Sequence, residues 1–186
     1  MSRRAAALLR LLTFAGAACA TTASAPRHSA PVDLLATAPG RVRVLVFTSH
    51  ECPIANSYAP TLRALASRFA AAPVDWFLVH VDPDLTDAAA AAHARDYDLP
   101  GTVVREPAQA AARQLGITRT PEAAVLVDGA LAYRGRIDDQ WAALGIRRAE
   151  AGQSDLADAI VAVLAGRAPA AARTTAVGCL LPEPLR

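Results

Sequence analysis

A nearly unbroken apolar run that stops at a cysteine constrains this chain more than any other feature. Residues 42–68 read VRVLVFTSHECPIANSYAPTLRALASR. Val42, Val44, Leu45, Val46 and Phe47 are mostly β-branched or bulky, the pattern of a central strand covered on both faces. From Asn56 onward Tyr58, Leu62, Leu65 and Phe69 recur at spacings of three and four, with Arg63, Ser67 and Arg68 elsewhere, which predicts an amphipathic helix. Pro53 marks its start, because proline lacks an N–H that would be unpaired in a first helical turn anyway. Cys52 therefore stands at or just before a helix N-terminus. Unpaired N–H groups and the positive dipole end face its sulfur there and favour the thiolate, which is the nucleophilic form.

The rest of the chain alternates in the same manner. Val74–Val81 is a second strand between Pro73 and Asp82-Pro83-Asp84. Strand, helix and strand make one right-handed parallel unit. Asp87–Tyr97 is alanine-rich and helical, capped by Thr86 or Asp87 and ended by Leu99-Pro100-Gly101. Thr102–Val104 reads as a short added strand and Pro107–Leu115 as a helix stopped by Gly116. Thr120-Pro121 leads into Ala123–Val127, a turn at Asp128-Gly129, and Leu131–Arg136, which together read as a hairpin. Ser154–Ala165 is the last helix, with Ser154 as N-cap and Gly166 as terminator. No internal repeat is present.

A strand, a Cys-Pro at a helix start and a much later Thr-Pro before another strand resemble the thioredoxin-like superfamily, in particular the redoxins related to peroxiredoxins and periplasmic thiol reductases. The resemblance implies an α/β fold, a thioredoxin-like mixed sheet flanked by helices in a single domain. It also implies that Cys52 is the catalytic residue. The Thr120-Pro121 bond would be cis, and Thr120 and Pro121 would lie against Cys52, where backbone groups pair with an extended substrate. Ser49 and Pro53 complete the substrate-facing set. Two departures matter. Alanine at position 55 stands where Cys-x-x-Cys has its second cysteine, so a local disulfide is impossible. The peroxiredoxin pattern Pro-x-x-x-Thr-x-x-Cys is half met, with Ser49 three residues before the cysteine but leucine at position 45.

At 186 residues, 53% hydrophobic, 19% charged and net +2, the composition fits one ordinary globular domain and offers no basic surface for nucleic acid. Residues 1–25 read as a secretory signal peptide, with Arg3, Arg4 and Arg10 before an apolar run from Leu11 to Ala18 and then small residues. That run is too short for a permanent membrane span. Cleavage after Ala20 or Ala25 removes Cys19; acylation of Cys19 in a lipoprotein is the alternative, with Gly16 where such sites usually carry leucine. Residues 26–40 read as a leader, 41–166 as the thioredoxin-like domain and 167–186 as a C-terminal tail. Export to the periplasm or outside the cell leaves two cysteines, Cys52 and Cys179, where disulfides persist.

Cys179 lies in the tail, thirteen residues past Gly166. An extended chain of that length spans roughly 43 Å, against a radius of gyration near about 14 Å for the domain. The tail therefore has the reach to make Cys179 the distant resolving partner of Cys52, and the apolar run around it favours docking. His50 and His80 sit where they can approach Cys52, so a copper or zinc site using Cys52, His50 and Cys179 is a competing reading. His28 and His93 read as exposed, and Asp82, Asp138 and Asp139 as turn or solvated residues. No metal or other cofactor is assigned. Three functions follow: a thiol-disulfide oxidoreductase, a thiol peroxidase, or a non-enzymatic metal- or partner-binding module. The expected partners are a protein or small-molecule disulfide or a peroxide, with an external thiol as reductant.

Overall fold

The apolar run becomes β1 (Val42–Thr48) in the computed structural model, which describes residues 32–184. It is followed by α1 (Pro53–Ser57), α2 (Ala59–Arg68), β2 (Val74–His80), α3 (Asp87–Asp96), β3 (Thr102–Arg105), α4 (Ala110–Leu115) and β4 (Arg119–Thr120). Then come β5 (Glu122–Val127), β6 (Ala130–Gly135), β7 (Trp141–Ala143), β8 (Ile146–Arg147), α5 (Asp155–Leu164) and β9 (Cys179–Leu180). The main sheet has five strands in the order β3-β2-β1-β5-β6. Its β1–β2 and β2–β3 pairs are parallel, and its β1–β5 and β5–β6 pairs are antiparallel. This is the mixed α/β sheet expected from the alternation.

Strand geometry explains why β1 is apolar almost throughout. Successive side chains point to opposite faces, and helices cover both. Val42, Val44 and Val46 pack with Leu62 and Leu65 of α2 and Leu156 and Ile160 of α5. Leu45 and Phe47 pack with Ala111, Ala112 and Leu115 of α4, and with Leu34 from the segment before β1.

The helix expected from Asn56 is in fact two segments joined at Tyr58. Pro60 has no N–H to offer the Asn56 carbonyl, and its ring would crowd that group, so the first turn ends and a second starts. α4 begins at Ala110 rather than Pro107, because Gln109 is left-handed and the Glu106 carboxylate accepts from the Ala111 and Ala112 N–H groups. Ser154 sits at the N-cap of α5, but its side chain makes no capping bond. Thr86 does cap α3, its Oγ1 accepting from Ala89 N at 3.1 Å.

The tail is packed against the sheet. Thr174 N donates to Arg134 O at 3.1 Å, and Thr174 Oγ1 lies 2.7 Å from the Tyr133 hydroxyl and accepts from Arg136 N at 3.1 Å. Gly135 has no Cβ to collide with Thr174, whose backbone oxygen lies 2.6 Å from where that carbon would be. Beyond this anchor, β9 pairs antiparallel with β4. The proposed signal peptide, Cys19 and His28 lie outside the described residues.

Ile160 is fully buried in α5 whereas neighbouring Val161 is 37% exposed. Ile160→Ala is expected to lower the unfolding free energy by about 2–5 kcal/mol. Val161→Ala should change it by no more than about 0.5 kcal/mol. Urea unfolding checks this, and similar losses at both positions would mean that the buried face of α5 is misplaced.

Candidate functional site

Cys52 is the N-cap of α1, with extended backbone (φ −81°, ψ 108°), and its Sγ accepts from Ala55 N at 3.5 Å. Pro53 follows in the first helical turn and is exposed, while Cys52 itself is only 1% exposed. As a thiol, Cys52 donates to Thr120 O at 3.1 Å. The Thr120–Pro121 bond is cis. On the other side of Thr120 runs β9, with Cys179 as the register partner of Thr120 itself. The approach is close because position 178 is glycine: a Cβ there would overlap the Thr120 carbonyl oxygen and lie 3.2 Å from Pro121 N. This pairing sets Cys179 against the apolar cluster that contains Cys52. Both are free thiols.

Burial opposes ionisation of Cys52, since a buried anion loses hydration. The Cys179 thiol and the backbone N–H groups of Ala55 and Cys179 outweigh it, and the Cys52 pKa falls below the ordinary thiol value. Ionisation removes the bond to the Thr120 carbonyl. The Thr120 hydroxyl, buried and without a partner in the thiol form, then adds to the groups stabilising the anion. Cys179 moves the other way. Burial, its hydrogen bond to Cys52 and the charge on Cys52 push it up to about 11. Of the two, Cys52 is therefore the one that ionises first.

The loop into Cys52 is held by Asp82, which is buried and not the turn or solvated residue expected. Ser49 Oγ donates to Asp82 Oδ1 at 2.5 Å and His50 N to Oδ2 at 3.2 Å. Cys52 N in turn donates to Ser49 O at 3.2 Å. Burial would raise the Asp82 pKa, but the His80 ring beside it and the hydrogen bonds from Ser49 and His50 N bring it down to about 2. The Ser49 hydroxyl is therefore committed to Asp82. The His50 ring faces the same carboxylate, with Nδ1 3.4 Å from Oδ1, and fully buried His80 ends β2 with Nδ1 3.7 Å from Oδ2.

Two further expectations need correction. His93 is not exposed but 8% accessible, with Nε2 2.9 Å from Asn56 Oδ1 and its ring 5.0 Å from that of His80. Burial, reinforced by the nearby His80 and His50, pushes its pKa down to about 4, so it is neutral at pH 7. Asp138 is also buried, accepting from the Tyr58 hydroxyl at 2.7 Å and from Gln140 N at 2.9 Å. Asp139 accepts from Gly152 N and Gln153 N at 2.7 and 3.0 Å. Among the described residues, no group of three or more His, Cys, Asp or Glu side chains is arranged to hold a metal ion. Nor is any helix among them long and apolar enough to cross a membrane.

Removing the Cys179 donor leaves burial opposed by fewer hydrogen bonds, so Cys179→Ala is expected to raise the Cys52 pKa. Gly178→Ala should do the same by driving the tail away from Thr120. The pH dependence of Cys52 alkylation checks both: the parent midpoint should lie below the free-thiol value of about 8.5, with upward shifts in the variants. Midpoints that do not move would separate the acidity of Cys52 from the tail.

The described architecture has counterparts among solved structures. An uncharacterized conserved protein from Geobacillus kaustophilus superposes with a TM-score of 0.67 at 18% identity, covering 79% of each chain. A hypothetical protein from Sinorhizobium meliloti 1021 gives a TM-score of 0.64 at 20% identity, over 76% of this chain and 79% of its own. A secreted Mycobacterium tuberculosis disulfide oxidoreductase overlaps 50% of this chain and 67% of its own, with a TM-score of 0.43 at 20% identity. No curated protein matches. The Redoxin family model matches residues 15–147, a span containing the sheet, the Cys52-Pro53 helix start and the Thr120-Pro121 turn. With its thioredoxin-like mixed sheet, the chain belongs to the Redoxin family.

Proposed function

We propose that this chain is an exported thiol-disulfide oxidoreductase working through Cys52 as nucleophile and Cys179 as resolving cysteine. The observation that carries this reading is the placement of Cys179 opposite Thr120, whose carbonyl accepts from Cys52, with acidity raised at Cys52 and lowered at Cys179. The nucleophile of thiol-disulfide exchange is the thiolate, so the more acidic sulfur attacks first. Cys52 attacks a substrate disulfide, one S–S bond breaks as another forms, and the first substrate thiolate leaves and takes a proton. Cys179 then gives up its proton and attacks the Cys52 sulfur of the mixed disulfide. A Cys52–Cys179 bond forms and the second substrate thiolate departs. The substrate disulfide gains two electrons and the cysteine pair loses them. An external thiol reductant returns the pair to its starting state.

The high pKa of Cys179 suits the order of these steps. While Cys52 is an anion, its charge helps keep the proton on Cys179. Once Cys52 is bonded in the mixed disulfide that charge is gone, and Cys179 becomes easier to ionise. Ser49, Pro53, Thr120 and Pro121 are assigned to the surroundings of the substrate. The substrate itself is a protein or small-molecule disulfide. Export is inferred from the arginines, short apolar run and small residues of 1–25, and it places the pair in an oxidising compartment such as the periplasm.

A non-reducing peptide map of the mature protein after treatment with oxidised glutathione is expected to show Cys52 linked to Cys179 within one chain. Cys179→Ser should instead accumulate glutathione on Cys52. Two free cysteines after oxidation, or linkage only between chains, would reject internal resolution.

A further inference from the structure

A single buried side-chain amide connects the supports of both sulfurs without touching either. Gln109 is 3% exposed and left-handed (φ 53°, ψ 35°), a conformation uncommon for any residue with a Cβ other than asparagine or aspartate. Its Nε2 donates to Val81 O at 3.1 Å and to Pro182 O at 2.8 Å. Both partners are carbonyl oxygens, so only the NH₂ end of the amide can satisfy them.

Each acceptor leads to one cysteine. Val81 N donates to Thr48 O at 3.1 Å, tying the end of β2 to the end of β1, and the next residue is Asp82, which holds the Ser49–His50 turn before Cys52. Pro182 lies three residues beyond Cys179. Between them, Leu181 N donates to Thr118 O at 3.3 Å, and its side chain packs on the cluster containing Ala111 and Leu115. Proline has no N–H, so its carbonyl is the only backbone hydrogen-bonding group it can use. The other tail anchor, at Thr174, lies on the far side of Cys179. The β4–β9 pairing between these anchors involves only two residues per strand.

We infer that Gln109 is a positioning residue for the thiol pair, with its amide clamping the C-terminal side of the tail so that Cys179 stays against Cys52. The inference rests on the proposed pairing of these cysteines. Loss of the clamp leaves the C-terminal side of Cys179 held by the Leu181 contacts alone, which lowers the effective concentration of Cys179 at Cys52.

The test uses the mature full-length chain with Gln109→Gly or Gln109→Glu, each with and without Cys179→Ala. Glycine accepts the left-handed backbone, and an ionised glutamate has nearly the same shape but no donor. Circular dichroism verifies that each variant is folded. In glutathione redox buffers, two protein thiols and one oxidised glutathione exchange with the internal disulfide and two reduced glutathiones. The equilibrium constant is expected to fall about tenfold in both Gln109 variants. The alkylation midpoint of Cys52 should rise while Cys179 is present and should not respond to the Gln109 substitution once Cys179 is alanine. An unchanged equilibrium and midpoint would overturn the clamp. So would an equal rise in the Cys179→Ala background, because Gln109 would then act through Val81 and not through the tail. If the parent forms no internal disulfide, the resolving role of Cys179 fails separately, and the alkylation comparison alone decides the clamp.

Discussion

Burial by itself would keep the proton on Cys52, and the site depends on hydrogen bonds reversing that preference. Some of those bonds are local, because a residue capping a helix meets the N–H of the residue three positions later. Others come from far away in sequence, through Cys179 and Thr120. The local part follows from Cys52-Pro53 at the start of α1. The distant part requires β9 to lie against β4, where Gly178 permits the close approach to Thr120. A cysteine at position 55 would have supplied a partner within one helical turn. With alanine there, the second sulfur is delivered by the tail.

The sheet makes this delivery workable. β1 and β2 run parallel, so Thr48 and His80 end side by side at one edge, and the chain leaves both strands at the same level. Asp82 reaches across from the exit of β2 to the exit of β1 and fixes the Ser49–His50 turn. Asn56 reinforces the turn from α1, donating to His50 O at 3.0 Å while pairing with His93 of α3. The Cys52 loop is therefore supported by the strand end, α1 and α3 together, and the sulfur is held by packed elements more than by the loop's own conformation.

Much of the framework was legible because its signals are local. The β-branched run, Pro53 after the cysteine, the turn at Asp128-Gly129 and the alternation of apolar periods each act over a few residues. Pro60 is equally local, and its missing N–H divides the helix at Tyr58. Other features depend on which faces meet. The alanine-rich α3 has no strong apolar stripe to say that His93 turns inward. Asp82 and Asp138 look like turn residues until their polar partners arrive from β1, β2 and α1. The β7–β8 pair and β9 are too short to show strand periodicity, and β9 exists through its pairing with β4. Gln109 offered no signal beyond its place before an alanine-rich segment, because its two acceptors lie 28 and 73 residues away.

The two neighbouring cysteines differ in acidity, with Cys52 the stronger acid, and the most direct measurement resolves them individually. Selective ¹³Cβ labelling of Cys52 and Cys179, followed by NMR across the pH range in the reduced protein, reports each ionisation in the same sample. The expected result is that Cys52 ionises first, below the ordinary thiol value, that the Cys179 resonance senses this step, and that Cys179 itself titrates only near about 11. Independent titration of both cysteines near about 8.5, or ionisation of Cys179 before Cys52, would contradict it.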